Sequence, residues 1–515
     1  MKKLFCILLT LLILSHSKAG PLDEDYGYVD VREGAHMFWV VYHTELPGDW
    51  STHPLILWLQ GGPGVSGVGY GNFLELGPYD INGNLREGRW TKKANLMFID
   101  NPVGTGYSYV DSPDLYCTNN TQIADDLVTL ITSVFTNYPD MQKMPFFVYA
   151  ESYGGKMTAD FAIALDAAIA RGDITSNFQG IAMGDSWISP MDSVNTWGSY
   201  LYWMGMVNKD GQAQIDAAAA RTQEAVDNGN WVEATAQCSI TEGVVETVTY
   251  GVDFYNVLSE DSNAYFVPNP DDEKLYSYFE PEMRKSFFRH VKPYPKKVGD
   301  ELDDFMNGPQ KAHWNISDDV TWGDQSCYVD YNLRGDFMKP VVESVAYLLN
   351  NSHIHVAVYT GNLDLICNTP GTYRWIENMQ YNQKSRFVET KREALHVSTY
   401  SNVAAYSQRY ERFSLFTILR SGHMVPIDAP EMSLKMIDII TGYGNETVSA
   451  KRKAEVAKKL HKVKHAKVAL HEAKENKETK ETLHETAEAI HLIKQEAEKI
   501  KEKQKQVKQT KIKKK

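Results

Sequence analysis

A mostly parallel central sheet covered on both faces by helices, an α/β fold, is what this sequence predicts, and three observations carry the expectation. Short runs rich in β-branched and aromatic residues recur between residues 20 and 445. Amphipathic stretches lie between several of them, and each run closes on small or polar residues, the rhythm of strand, crossover and parallel strand. The chain can also bury such a sheet: it has 515 residues, 43% of them hydrophobic, with 19 Phe, 11 Trp and 29 Tyr. That much apolar surface does not stay solvated as a disordered chain.

In chain order, strands are expected at 36–42, 55–59, 96–99, 146–149, 178–183, 356–359 and 413–419. Helices are expected at 123–135 and 157–169, where apolar residues recur at i, i+3 and i+4. Residues 190–321 break the rhythm with a helical Ala-rich piece around Ala217 to Ala220 and a polar stretch at 261–273. They read as an insertion capping the sheet, which divides the body into 20–189 and 322–445; a separate second domain is the alternative. In sheets of this kind ligands bind beyond the carboxyl ends of the strands.

The two ends differ from the body. Met1-Lys2-Lys3, an apolar stretch at 4–14 and Ser17-Lys18-Ala19 before Gly20 have the order of a cleaved secretory signal, residues 1–19. No later run of 18 apolar residues follows, so no membrane-spanning segment is expected. Cys6 leaves with the signal, and Cys117, Cys238, Cys327 and Cys367 could then form up to two disulfides in any of three connectivities. Sequons at Asn119, Asn315, Asn350 and Asn445 agree with passage through the secretory route. Residues 451–515 hold 21 Lys/Arg against 10 Asp/Glu and no Gly, Pro or aromatic residue, a tail of +11 on a remainder of −24. The charge break marks a boundary near Tyr443-Gly444 and sets off a basic Lys/Glu-rich tail, 446–515, helical or disordered. Its default reading is a solvated, partly formed helix; the sharper one is an arm for anionic surfaces, with nucleic acid a poor partner for a secreted protein.

The chemistry gathers at strand ends. The expected strand at 146–149 runs into Ala150-Glu151-Ser152-Tyr153-Gly154-Gly155 and then an amphipathic helix. A serine on such a strained turn needs small neighbours and presents its hydroxyl at a helix N-terminus. The hydroxyl becomes a nucleophile only when a base takes its proton, and the base needs an orienting acid. Two late strand ends supply them: Asp364 follows the 356–359 run and His423 follows 413–419. The order Ser152, Asp364, His423 is that of α/β-hydrolases. Gln60-Gly61-Gly62-Pro63-Gly64, after 55–59, offers bare N–H groups for an oxyanion, with the Tyr153 N–H as second donor. The glycine-rich 101–107 stretch lacks the Gly-Lys-Ser/Thr ending of a phosphate loop, so nucleotide binding is not expected.

The blocks WLQGGPG, FLELGP, NPVGTGYSY, ESYGG, GNLDLICN and SGHMVP, in this order over residues 26–442 and joined by GDSWISP at 184–190 and DFMKP at 336–340, resemble the serine carboxypeptidase family. The resemblance implies an α/β-hydrolase fold with a helical cap, and removal of C-terminal residues from peptides at acidic pH in a secreted or lysosomal setting, with no cofactor or metal. It makes Ser152 the nucleophile, His423 the general base and then acid, and Asp364 its orienting partner. Gly62 and Tyr153 would form the oxyanion hole. Gln60 and Glu151 would hold the free C-terminal carboxylate of peptide substrates, supported by Trp58 and Glu75. Two carboxyls facing each other cannot both be ionised cheaply, so Glu151 is expected to carry a proton when substrate binds. The chain departs from the family pattern in having Gln60 where many relatives have Asn, Gly67 where they have Ser, Ala150 at the first elbow glycine, and few cysteines, of which Cys367 lies beside the site. The tail has no counterpart. An acyltransferase using the same triad and a non-catalytic secreted binder are the rival readings.

Overall fold

The computed structural model describes residues 22–259, 296–323 and 326–442. The signal segment, the polar stretch 261–273, Asn445 and the basic tail lie outside the described residues. An 11-stranded sheet organises the body. Its strands are β1 (Glu24–Arg32), β2 (Ala35–Tyr42), β3 (Leu55–Leu59), β4 (Asn95–Ile99), β5 (Tyr109–Val110), β6 (Pro145–Ser152), β7 (Asn177–Ser186), β8 (His355–Gly361), β9 (Glu393–Leu395), β10 (Ala405–Tyr410) and β11 (Phe413–Ile418). They lie in the order β1-β2-β4-β3-β6-β7-β8-β11-β10-β9, with β5 paired to β2. The six from β4 to β11 run parallel, and antiparallel pairs flank them.

Alternation along the central strands places side chains on two buried faces. On β3, Leu55, Leu57 and Leu59 join one core while Ile56 and Trp58 join the other; on β6, Val148 and Ala150 separate from Phe147 and Tyr149 in the same way. The first core is closed by α1 (Asn120–Asn137) and α2 (Tyr153–Arg171). Helix α1 starts at a cap, where the Asn119 side chain accepts the Gln122 N–H, and buries Ile123, Leu127, Leu130, Ile131 and Val134. Each such burial contributes about 1.5–3 kcal/mol, which favours this helix far more than its propensity does. Helix α2 begins before the expected 157, because the turn residues Tyr153, Gly154 and Gly155 are already helical.

Parallel pairing sets the strand ends in one row. Leu59 pairs with Ala150, Glu151 with Gly184, Gly184 with Tyr359, and Gly361 with Ile418. The loops after β3, β6, β7, β8 and β11 therefore open side by side at the carboxyl edge. After β7 come α3 (Pro190–Trp203), α4 (Lys209–Asp227) and α5 (Trp231–Thr249), within the expected insertion. The chain then returns to that edge: the Phe254 carbonyl accepts the Leu365 and Ile366 N–H groups, and the Tyr255 carbonyl accepts the His423 N–H at 2.7 Å. The described residues through Ile440 form one compact unit. No helix among the described residues is long and apolar enough to cross a membrane.

The four cysteines do not form the disulfides that the sequence allowed. Cys117, Cys238 and Cys367 are buried free thiols; Cys117 faces Asp126 and Cys238 faces Glu242.

Asp100, just past β4, explains the 101–107 stretch. Its buried carboxylate accepts the Ser66 hydroxyl at 2.5 Å and the N–H groups of Tyr107 and Val68 at 2.8 and 3.2 Å, tying the loop to the edge. Burial lifts this acid to about 7. The folded chain thus keeps a proton that the unfolded chain, with an ordinary aspartate near 4, has released; the contribution is full below about pH 4 and is lost as pH climbs through about 7. The thermal midpoint measured by calorimetry is expected to fall by a few degrees between about pH 5 and about pH 7.5, and Asp100→Asn is expected to shrink that fall. An unchanged fall in the variant would remove Asp100 as its source.

Candidate active site

Ser152 ends β6 with φ 59° and ψ −130°, a conformation that side chains rarely adopt. The strained turn is held by close neighbours. A methyl at Gly154 would collide with the Leu59 carbonyl and one at Gly155 with the Ser186 side chain, so α2 can pass this close to β3 and β7 only with glycine at both. Ala150 fits as the third small residue, fully buried.

His423 and Asp364 come together from the loops after β11 and β8. Their Nδ1 and Oδ2 are 2.9 Å apart, and both side chains are sealed, at 2% and 0% exposure. A carboxylate at Nδ1 keeps the proton there and leaves Nε2 as the basic nitrogen. The ring also meets Tyr255 edge-on, at 5.1 Å between centroids. Ser152, His423, Gly62, Tyr153, Gln60 and Glu151 line one cleft. The 60–64 loop rides directly on the first turn of α2, because a methyl at Gly61 would strike the Tyr153 N–H. The two expected oxyanion donors are therefore neighbours.

Beside the serine lies a buried polar cluster. Trp58 Nε1–H donates to Gln60 Oε1 at 2.7 Å, which turns the Gln60 amide nitrogen toward Glu75 Oε1 and Glu151 Oε1, each at 3.0 Å. The remaining oxygens of the two acids, both buried, meet no N–H or O–H donor, and the carboxyls contact each other. Burial raises both, Glu75 to about 7 and Glu151 well above the usual range, the latter raised further by the neighbouring Glu75 carboxylate. Such a pair keeps a proton between its members at acidic pH. Glu75 sits on a wide helical segment, Gly67–Leu76, with i to i+5 bonds such as Gly77 N–H to the Asn72 carbonyl. The segment comes close because Gly71 leaves room for the Trp58–Gln60 bond; a Cβ there would stand 2.6 Å from Trp58 Nε1. At Gly67 a Cβ would stand 2.6 Å from the Ile99 carbonyl, so the serine of many relatives does not fit this backbone unshifted.

Three features were not assigned roles from the sequence. Asp336 of the DFMKP block accepts the Tyr153 hydroxyl at 2.9 Å and pairs with buried Lys156 at 2.9 Å, anchoring the first turn of α2. Phe337 stacks parallel to the Tyr153 ring at 6.0 Å and, with Trp187, gives the cleft an aromatic wall. Asp185 of GDSWISP is fully buried beside Asp364. Cys367 is packed under the site; its N–H donates to Asp364 Oδ1 at 3.3 Å, and burial holds its thiol well above the usual value, so it stays protonated.

Residues 17–442 match the family described as serine carboxypeptidase. The retinoid-inducible serine carboxypeptidase of Mus musculus is 40% identical over 445 residues, 84% of this chain and 96% of its own length. The human protein of that name is 39% identical, covering 81% and 91%, and serine carboxypeptidase-like 51 of Arabidopsis thaliana is 35% identical, covering 81% and 92%. The crystal structure of a prohormone-processing carboxypeptidase of Saccharomyces cerevisiae superposes with a TM-score of 0.67 at 20% identity, over 82% of this chain and 91% of that one, and so shares its fold. By sequence and by architecture, the chain belongs to the serine carboxypeptidase family, enzymes of the serine-type carboxypeptidase class built on the α/β-hydrolase fold.

Proposed function

We propose that this chain releases C-terminal residues from peptides through an acyl-enzyme on Ser152, working best at acidic pH. The observation that carries the reading is the buried Gln60–Glu75–Glu151 receptor beside the nucleophile. A protonated carboxyl there donates a hydrogen bond to the carboxylate that marks a peptide's end, and the scissile bond one residue inward meets Ser152. The Ser152 oxygen attacks the scissile carbonyl carbon as its proton passes to His423 Nε2, and the N–H groups of Tyr153 and Gly62 hold the oxyanion. The C–N bond breaks, His423 gives the proton to the leaving amine, and the terminal amino acid departs. Water then attacks the ester, its proton passing through His423 to the Ser152 oxygen, and the shortened peptide leaves. Residues 190–321 act as the cap over this edge, and 322–445 complete the body that 20–189 begins.

The signal segment and the sequons support a secreted or lysosomal setting; of the latter, Asn315 and Asn350 are exposed and Asn119 is half-buried. A peptide library digested at about pH 5 and read by mass spectrometry tests the function: stepwise loss of C-terminal residues is expected, and ester or amide formation without trimming would favour acyl transfer.

The receptor also sets a pH dependence. As pH rises toward and past about 7 Glu75 loses its proton, while burial holds the Glu151 proton on, and a substrate carboxylate meets uncompensated charge. KM for peptide acids is expected to rise severalfold between about pH 5 and about pH 7 while KM for peptide amides stays level. Glu75→Gln keeps a donor without a titration and is expected to flatten the rise. The same slope for acids and amides would end this role for the pair.

A further inference from the structure

Asp185 ends up between the nucleophile strand and the strand that carries Asp364. It follows Gly184 on β7, with φ 39°, a value that side chains seldom take and that fixes where its carboxyl points. Its Oδ1 accepts the Gly361 N–H at 2.7 Å. Its Oδ2 is buried and meets no N–H or O–H donor, while the carboxyl as a whole is in hydrogen-bond contact with that of Asp364. An ionised carboxylate would leave Oδ2 bare and facing a second anion. A protonated one turns the same contact into a hydrogen bond.

We propose that Asp185 is a positioning residue that holds a proton and donates it in a hydrogen bond to Asp364, so that the acid pair behind His423 carries one negative charge and not two. The proposal rests on the reading of Ser152, Asp364 and His423 given above. Donor count says which member keeps the charge. Asp364 accepts His423 Nδ1–H at 2.9 Å and Cys367 N–H at 3.3 Å, and the Ile366 N–H as well; Asp185 has only the Gly361 N–H. The other titratable groups facing Asp185 are Glu151 on β6, Tyr359 on β8, Cys367 and His423. Burial keeps Tyr359 and Cys367 neutral and favours a proton on Glu151, so none of these offers Asp185 a compensating positive charge except His423, which Asp364 already engages. A second anion in this place would hold His423 protonated and idle as a base in acidic surroundings. With one charge, the ring is steadied as it becomes an imidazolium, yet gives up its proton at lower pH.

The test reads His423 without any substrate carboxylate: the second-order rate at which a fluorophosphonate labels Ser152, followed across pH. Asp185→Asn supplies a neutral donor of the same shape. Its acidic limb is expected within about a third of a pH unit of the wild type, and its labelling is expected to persist to higher pH, since it has no proton to lose. Asp185→Ala removes the donor and is expected to slow labelling at least tenfold, most of which Asp185→Asn recovers. An acidic limb moved down by about one unit or more in Asp185→Asn would mean that the wild type carries the second charge, and would overturn the proposal. Should Asp185→Ala fail to fold, the Asp185→Asn profile decides alone. Wild-type protein that is not labelled at any pH would overturn the triad reading, and this one with it; labelling with a displaced limb overturns this one alone.

Discussion

Ser152→Ala is expected to lower kcat/KM for a blocked dipeptide by about 10^4- to 10^6-fold while leaving the protein folded. The size follows from what the hydroxyl does: without it no acyl-enzyme forms, and only the oxyanion donors and substrate binding remain to speed attack by water. Alanine suits the site sterically, because the Cβ already accommodates the backbone at φ 59°. Thermal midpoint and substrate KM are therefore expected near those of the wild type, and the loss to fall on kcat. Mass-spectrometric counting of released amino acids gives the rate. A variant within tenfold of the wild type would mean that another group is the nucleophile.

Asp364→Asn is expected to cost about 10^4-fold in kcat with little change in shape. The neighbours decide how the new amide turns. Cys367 N–H and the Asp185 carboxyl both donate toward residue 364, so the amide oxygen faces them and the NH2 faces His423 Nδ1. A donor at Nδ1 forces the imidazole proton onto Nε2, the atom that must accept the Ser152 proton. The defect is one of tautomer, so fluorophosphonate labelling is expected to fall in parallel with peptide hydrolysis. Labelling at the wild-type rate would show that Asp364 does not orient the histidine.

Much of the fold could be read from the chain because the central strands are buried on both faces and so appear as unbroken apolar runs: the expected 55–59 is β3, and 413–419 contains β11. Strands β1, β5, β9 and β10 were not expected, since they lie toward the sheet margins with exposed or half-exposed positions, β5 is only two residues long, and the other three carry Asp, Glu, Arg and Gln among their residues. The elbow at Ser152 was legible from its small neighbours, and the order of the three strand-end residues followed from the rhythm around them. Asp185 and Asp336 were not, although both stand in blocks that were noticed. Their roles depend on partners 179 and 183 positions away in the chain, Asp364 and Tyr153, and no local pattern encodes such a meeting. The cysteines were open for the same reason: counting sulfurs says how many bonds are possible, not which side chains face one another, and Cys117, Cys238 and Cys367 are free.

The three sealed thiols have a practical meaning for the life of the molecule. Cys117, Cys238 and Cys367 carry no covalent partner, so a reductant finds no bond to cut at these three positions. They sit among interdigitated side chains and meet an alkylating reagent only when that packing opens, each a hidden witness to the moment the chain lets go.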